Sequence, residues 1–186
     1  MKRGFDLLFA FACGLLLLVP AIFISVFVRC SSRGPIIYWS DRVGLQNRIF
    51  KMPKFRTMRI EAPEVATHLL ANPHKWLTPI GEFLRRTSLD ELPQIWSILR
   101  GDMSIVGPRP ALFNQYDLIA LRTKNGVQQL KPGLTGWAQI NGRDRLTIQE
   151  KVKLDIEYLE RQSFKFDLQI LWITLKKVAY KDGISH

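Results

Sequence analysis

The stretch KRGFDLLFAFACGLLLLVPAIFISVFVR, residues 2–29, decides how the rest of the chain must be arranged. From Phe5 to Val28 nearly every residue is apolar, with Asp6 and Ser25 the polar exceptions. About 20 apolar residues cross a bilayer, so the run predicts a membrane segment. A secretory signal would need a shorter apolar region and a small-residue cleavage site, which Phe27-Val28-Arg29-Cys30 does not offer. Pro20 lies inside the run, where the missing backbone donor and the ring predict a bend. Lys2 and Arg3 precede the run, and residues 29–60 carry eight Lys or Arg against one acid, Asp41. Basic flanks favour the cytoplasmic side, so a single span would put one of them on the wrong face, whereas a re-entrant hairpin keeps both on the same side. The piece from Phe5 to Val19 would be about 22 Å long, enough to dip into the bilayer and return. From the residues alone a hairpin and a Pro-kinked span both remain open.

Beyond this run, the 186 residues suffice for one domain of ordinary size, and 47% hydrophobic residues lie in the globular range. The net charge of +11 does not, and it points to an anionic partner: nucleic acid, lipid headgroups or phosphorylated small molecules. Cys13 and Cys30, in or beside the apolar run, form no disulfide framework or zinc spacing, so a reducing compartment is expected. His68, His74 and His186 lack a metal-ligand pattern and read as surface residues.

Ser31-Ser32-Arg33-Gly34-Pro35 is a break, Ile36 to Trp39 has strand composition, and Val43 to Asn47 turns towards Arg48-Ile49-Phe50, which predicts a short β-hairpin. From Lys51 to Arg59, including Lys54 and Arg56, cations alternate with bulky apolar residues. Such a strand lies against lipid headgroups or binds phosphate. Residues 61–79, with Pro63, Pro73 and Pro79, predict short helices and loops. Ile80, Phe83 and Leu84 then fit the buried face of a helix that delivers Arg85 and Arg86.

Two adjacent carboxylates follow, Asp90 and Glu91, before a helix whose apolar face is Leu92, Ile95, Trp96 and Leu99 and whose stop is Gly101. Ser88 with Glu91 resembles a capping box, and Asp90 as N-cap is the alternative; either puts both acids at a helix start. Acids there often serve only the helix. An adjacent pair can also divide into a nucleophile and a cation ligand, with guanidinium groups neutralising phosphate. Gly107-Pro108-Arg109-Pro110 holds an arginine between prolines on a stiff turn, which suits a phosphate or carboxylate ligand.

Leu112, Tyr116, Ile119 and Ala120 predict a helix ending before Asn125-Gly126. The glycine-rich stretch Lys131 to Arg143 is shaped by backbone demands and lacks the spacing of a dinucleotide fingerprint or a P-loop. Residues 147–160 predict a helix with Val152, Ile156 and Leu159 on one face and Asp155 on another. Leu168, Leu171, Trp172 and Leu175, with Lys176, Lys177 and Lys181 near the end, read as a core helix or one lying in a membrane interface.

These motifs together resemble the bacterial sugar transferases, in particular the small monotopic phosphoglycosyl transferases. The matching pieces are Lys54 to Met58, Ser88 to Gln94, Gly101 to Ser104, Val106 to Pro110, and Pro132 to Trp137 continued through Asn141-Gly142-Arg143, in family order over nearly the whole chain. The resemblance implies transfer of a sugar 1-phosphate from a UDP-sugar to polyprenol (undecaprenyl) phosphate, with release of UMP and a requirement for Mg2+. By position, Asp90 would be the nucleophile that forms a covalent phospho-sugar intermediate, and Glu91 would help bind the metal. Arg109, between Pro108 and Pro110, would contact the nucleotide, while Lys54, Arg56, Arg85, Arg143 and Asp155 fall among the family's substrate-binding positions.

The family's N-terminal segment is a re-entrant helix, which favours the hairpin, although Val19-Pro20 stands where the family usually has Ser-Pro. The absence of the larger branch's additional spanning domain points to the small form. The resulting expectation is an α+β, mostly helical fold. Residues 1–33 form a re-entrant helix-break-helix, and residues 34–186 a catalytic domain with amphipathic helices and a short β-hairpin. It would sit at the cytoplasmic face of the bacterial inner membrane, among membrane lipids and without nucleic acid, as a monotopic enzyme of glycan assembly serving exopolysaccharide or O-antigen. The competing expectation is a membrane-tethered basic module that binds anionic lipid or nucleic acid through residues 42–59, without catalysis. The two paired acids among cations argue against that module, since a docking surface gains nothing from them.

Overall fold

The structure, a computed structural model, describes residues 2–63 and 72–179. His68, Lys181 and His186 lie outside them, and His74 is exposed as expected. The apolar run forms one helix, α1 (Lys2–Ser31), that continues through Pro20. The expected break into two helices is therefore absent. Proline removes a single backbone donor and can bend a helix without ending it, so the two halves stay one element. The helix is long and apolar enough to cross a membrane. Only a narrow strip is buried, comprising Asp6, Ala10, Ile24 and Val28, while Leu8, Phe11, Leu15, Leu16, Ile22 and Phe23 are exposed.

Both ends of α1 are fastened to the remainder of the chain. At the start, Arg3 donates to the carbonyls of Ile98 and Leu99, and the Asp6 carboxylate accepts from Ser104 Oγ (2.9 Å) and Ile105 N (3.1 Å). At the far end, Ile24 and Val28 pack against Phe55 and Leu84. Just beyond it the Arg56 guanidinium donates to the carbonyls of Ser32 and Arg33.

The hairpin forms as expected. Strands β1 (Ile37–Val43) and β2 (Ile49–Phe55) pair antiparallel from Ile37↔Phe55 to Val43↔Ile49, joined through a 3-10 turn with Gln46 and Asn47 at φ 54° and 58°. The second strand runs past Phe50 and so carries Lys54. After α2 (Pro73–Trp76) and α3 (Gly81–Arg86), a 3-10 segment (Leu89–Gln94) leads into α4 (Ile95–Arg100), which ends on Gly101 at φ 93°. Leu84 and Ile98 are buried, but Phe83 and Trp96, expected inside, are about half exposed. A 3-10 turn has 3.0 residues per turn rather than 3.6, so a spacing counted across the junction changes phase, and six-residue helices bury only one narrow side.

A second, parallel pair joins β3 (Ser104–Val106) to β4 (Gly133–Thr135), with Gly107 following β3. A Cβ on Gly133 would lie 2.1 Å from Gly107 N and one on Gly136 2.0 Å from Gly107 O, so this crossing admits only glycine. The remaining helices are α5 (Tyr116–Lys124), α6 (Trp137–Ile140), α7 (Ile148–Arg161, capped by Thr147 with Glu150) and α8 (Phe164–Ala179). In α5 Leu118 is buried whereas Tyr116, its first residue, is exposed.

In α7 the buried side is Val152, Asp155 and Tyr158, so Asp155 faces inward, contrary to expectation, because Arg122 meets it there. The main core gathers Ile98, Met103, Ile105, Val106, Tyr158, Phe166 and Ile170 with Ala10 of α1. Helix α8 buries Phe166, Asp167 and Ile170; of the expected stripe Leu171 packs against the main core, while Leu168, Trp172 and Leu175, with Val178, are exposed.

Candidate active site

Ser88 begins the 3-10 segment in the left-handed region (φ 56°), with no side-chain cap bond; Glu91 N reaches the Ser88 carbonyl instead. Neither Ser88 nor Asp90 is a side-chain cap, and Asp90 lies within the turn. The tighter 3-10 geometry accommodates Pro93 and leaves both carboxylates available to other partners.

Those partners are cations from three separate elements. Glu91 Oε1 accepts from Lys54 Nζ of β2 at 2.8 Å and from Arg109 Nη2 at 2.9 Å. Asp90 is buried, its Oδ2 lies 3.8 Å from Lys54 Nζ, and among the described residues its carboxylate accepts no hydrogen bond. Arg85, held by a bond from its Nε to Thr57 Oγ1 (2.9 Å), acts on Asp90 through its charge.

The electrostatics divide the pair. Burial alone would raise the Glu91 carboxyl, but the charges and hydrogen bonds of Arg109 and Lys54 outweigh it and hold Glu91 well below the usual carboxylate range. Burial pushes Asp90 upward, and the neighbouring Glu91 charge adds to this against the pull of Lys54, Arg85 and Arg109. Burial lowers Lys54, with Arg109 and Arg42 adding like-charge repulsion against the support of Glu91 and Asp90.

The Pro-Arg-Pro turn is held through its carbonyls. Pro108 O accepts from Gly133 N (2.9 Å), Arg109 O from Arg122 Nη1 (2.8 Å) and Pro110 O from Arg42 Nη1 (3.1 Å). Arg122 in turn pairs with Asp155 at 2.7 Å, and burial raises the Asp155 carboxyl despite that partner. Pro108 and Pro110 are themselves buried.

The family whose sequence profile matches the chain, over residues 1–181, is described as bacterial sugar transferase. The chain belongs to the bacterial sugar transferase family. It is 39% identical over its whole length to the uncharacterized sugar transferase EpsL of Bacillus subtilis, covering 90% of that protein. It is 42% identical to the UDP-glucose:undecaprenyl-phosphate glucose-1-phosphate transferase of Escherichia coli, over 95% of this chain and 40% of that protein. The undecaprenyl-phosphate galactose phosphotransferase of Salmonella typhimurium is 34% identical over 98% of this chain and 41% of its own length. The chain thus spans most of the first relative and about two-fifths of the other two.

In this bacterial sugar transferase the structure brings together Lys54, Arg85, Asp90, Glu91 and Arg109 of the residues singled out from sequence. Asp155 stands one layer back, acting on Arg109 through Arg122. Arg56 does not join them: its guanidinium holds the carbonyls that follow α1. Arg143 sits at φ 51° in a 3-10 turn after α6 and is not among the main charges acting on Asp90 or Glu91. Sequence reasoning missed Arg122, which reads as an ordinary cation in a helix's last turn, and Thr57. It also missed Arg42 as a site residue. The hairpin register puts Arg42 on the same sheet face as Lys54, a signal available only once that register is known.

Proposed function

We propose that the chain transfers a sugar 1-phosphate from a UDP-sugar to polyprenol phosphate and releases UMP, with Asp90 as nucleophile. The observation that carries this reading is the division of the carboxylate pair. Glu91 is engaged by two cations, whereas Asp90, beside it, accepts no hydrogen bond among the described residues and lies in a buried, cation-lined setting. A carboxylate so placed attacks well, because its charge is stabilised by neighbouring cations without being masked by donors.

In the first half, an Asp90 oxygen bonds to the β-phosphorus, the bond from that phosphorus to the bridging oxygen breaks, and UMP leaves with the bridging oxygen. In the second, a polyprenol phosphate oxygen attacks the same phosphorus and returns Asp90 as a free carboxylate. Lys54, Arg85 and Arg109 offset the charge that collects on the phosphoryl oxygens. The names of the Escherichia coli and Salmonella typhimurium relatives, each specifying undecaprenyl phosphate and a sugar phosphate, support this substrate class.

The donor set suits Mg2+. The second oxygen of Glu91 would serve as an oxygen ligand, and no group of three or more acidic, His or Cys ligands occurs among the described residues. Such an ion is held by one or two carboxylates together with substrate phosphates. When bound, it supplies charge neutralisation at the diphosphate.

The attachment of both ends of α1 to one folded unit supports a re-entrant, monotopic arrangement at the cytoplasmic face. A hydrocarbon core about 30 Å thick would separate the ends of a true span, one of them from its binding site. The exposed stripe of Trp172, Leu175 and Val178 beside Lys176 and Lys177 suits the headgroup boundary. The competing docking module loses support because Lys54, Arg85 and Arg109 turn inward onto carboxylates.

The decisive experiment measures UMP release from a panel of UDP-sugars with the full chain in lipid, with and without polyprenol phosphate and Mg2+. Turnover is expected only with all components present, and Asp90→Asn is expected to lose it by at least about a thousandfold while remaining folded. Full turnover in Asp90→Asn would remove the covalent step.

A further inference from the structure

The structure assigns a further phosphate-binding group to Arg42, on the strand facing the carboxylates. Along β1 the side chains alternate, and the pairing Tyr38↔Lys54, Ser40↔Met52 and Arg42↔Phe50 puts Arg42, Ser40 and Lys54 on one face of the hairpin. Asp41, the only acid in residues 29–60, projects to the opposite face, where it pairs with Lys51 at 3.0 Å. Arg42 therefore has no acid of its own strand to answer it.

Its guanidinium is fixed rather than loose. Nε donates to Ser40 Oγ at 3.0 Å, with Ser40 itself buried, and Nη1 donates to Pro110 O at 3.1 Å. Nη2 meets no acceptor among the described residues, and no ion pair links Arg42 to any described carboxylate. The charge nearest to balancing it is Glu91, whose Oε1 is already shared by Lys54 and Arg109. Among the described residues, Lys54, Arg85 and Arg109 act on Asp90, and Arg42 feels Arg109 and Glu91 as its foremost charged neighbours. Burial, with the repulsion of Arg109 next, brings the Arg42 guanidinium down to about 10, the sign of a buried cation that lacks a full partner.

Holding two guanidinium groups close together without an acid for each is costly unless an anion joins them. A phosphate oxyanion suits that role, since a planar fork matches it and each charge-assisted bond is strong. This inference rests on the phosphate-transfer reading above. The ligand is a phosphate group of the nucleotide diphosphate or of the polyprenol phosphate, and Arg42 meets it through Nη2.

The test is equilibrium binding to the full chain in detergent, without turnover, using uridine diphosphate in one arm and a short-chain polyprenyl phosphate in the other. Arg42→Gln is expected to weaken binding in one arm by about ten- to a hundredfold, the range for a lost hydrogen bond between charged groups. Arg42→Lys should recover only part of it, and Arg48→Gln, an exposed cation of the same hairpin, should bind as wild type. Loss with uridine diphosphate assigns Arg42 to the donor, and loss with polyprenyl phosphate assigns it to the acceptor. The loss should persist in an Arg109→Gln background, where a role confined to bracing the Pro-Arg-Pro turn has nothing left to lose. Wild-type affinity in both arms for a folded Arg42→Gln or Arg42→Lys, or no further loss in the Arg109→Gln background, overturns the proposal and leaves the transferase reading intact. Failure of the wild-type chain to bind either ligand removes the transferase reading itself.

Discussion

At the scale of single residues, the site works by giving two adjacent carboxylates unequal surroundings. Both are buried, but Glu91 receives hydrogen bonds from two cations and Asp90 receives none among the described residues, so the first stays charged to low pH and the second does not. Activity that needs ionised Asp90 should rise with pH along an acid limb displaced above the ordinary aspartate value of about 3.9. Removing the Glu91 charge takes away one of the influences that raise Asp90. In Glu91→Gln the pH profile of UMP release is therefore expected to shift its acid limb downward while the maximal rate falls.

The same variant leaves Lys54 and Arg109 facing each other and should cost about 2–3 kcal/mol of stability, below the usual figure for breaking a buried pair because Arg109 is a third exposed. The signs of the linkage oppose each other. Glu91, whose folded value lies below its unfolded one, adds stability above its ordinary range that is lost as pH falls. Asp90 and Asp155, whose folded values are raised, subtract stability as pH rises from their unfolded values through those folded values. Denaturation of wild type and Glu91→Gln across pH 3–8 separates the two: the difference between them should shrink as the solution becomes more acid.

At the scale of elements, the Pro-Arg-Pro turn inherits its position from β3, and β3 is held by the first turn of α1. Asp6 binds Ser104 Oγ and Ile105 N, and Lys2 Nζ donates to Val106 O and pairs with Asp167, which also accepts from the Tyr158 hydroxyl at 2.6 Å. Burial, then the hydrogen bond to Asp167, drives the Tyr158 hydroxyl far up, so it remains a donor throughout the physiological range. Asp6→Ala leaves two buried donors without an acceptor, and a loss of about 2–4 kcal/mol is expected in thermal unfolding in detergent. The glycine crossing of β3 and β4 is stricter. Gly133→Ala puts a methyl group where Gly107 N already lies, and the expected outcome is loss of both folded yield and UMP release.

At the scale of the whole molecule, α1 is long and apolar enough to cross a membrane and is fastened at both ends to the unit that holds the site. Cysteines introduced before Phe5 and after Gly34, in a chain lacking Cys13 and Cys30, should be labelled from the same side of the membrane by an impermeant reagent; opposite-side labelling would establish a span.

Much of this was readable without coordinates. The apolar run, the hairpin, the Gly101 stop, the two acids and the clamped arginine each rest on local rules of composition, spacing or backbone conformation, which act within a few residues. Sequence by itself therefore determined which groups were available for phosphate chemistry and that the chain carries an apolar helix long enough for a membrane. Only the tertiary structure decided which cations would reach the acids. Lys54 and Arg109 converge on Glu91 from 37 and 18 residues away, while Arg56, two residues from Lys54, turns to the end of α1. Asp155, 33 residues from Arg122 in sequence, pairs with it in the folded chain. Charge has no periodicity that reveals its partner; it is assigned when packing fixes which charges share a low-dielectric space, and that depends on contacts far apart in the chain.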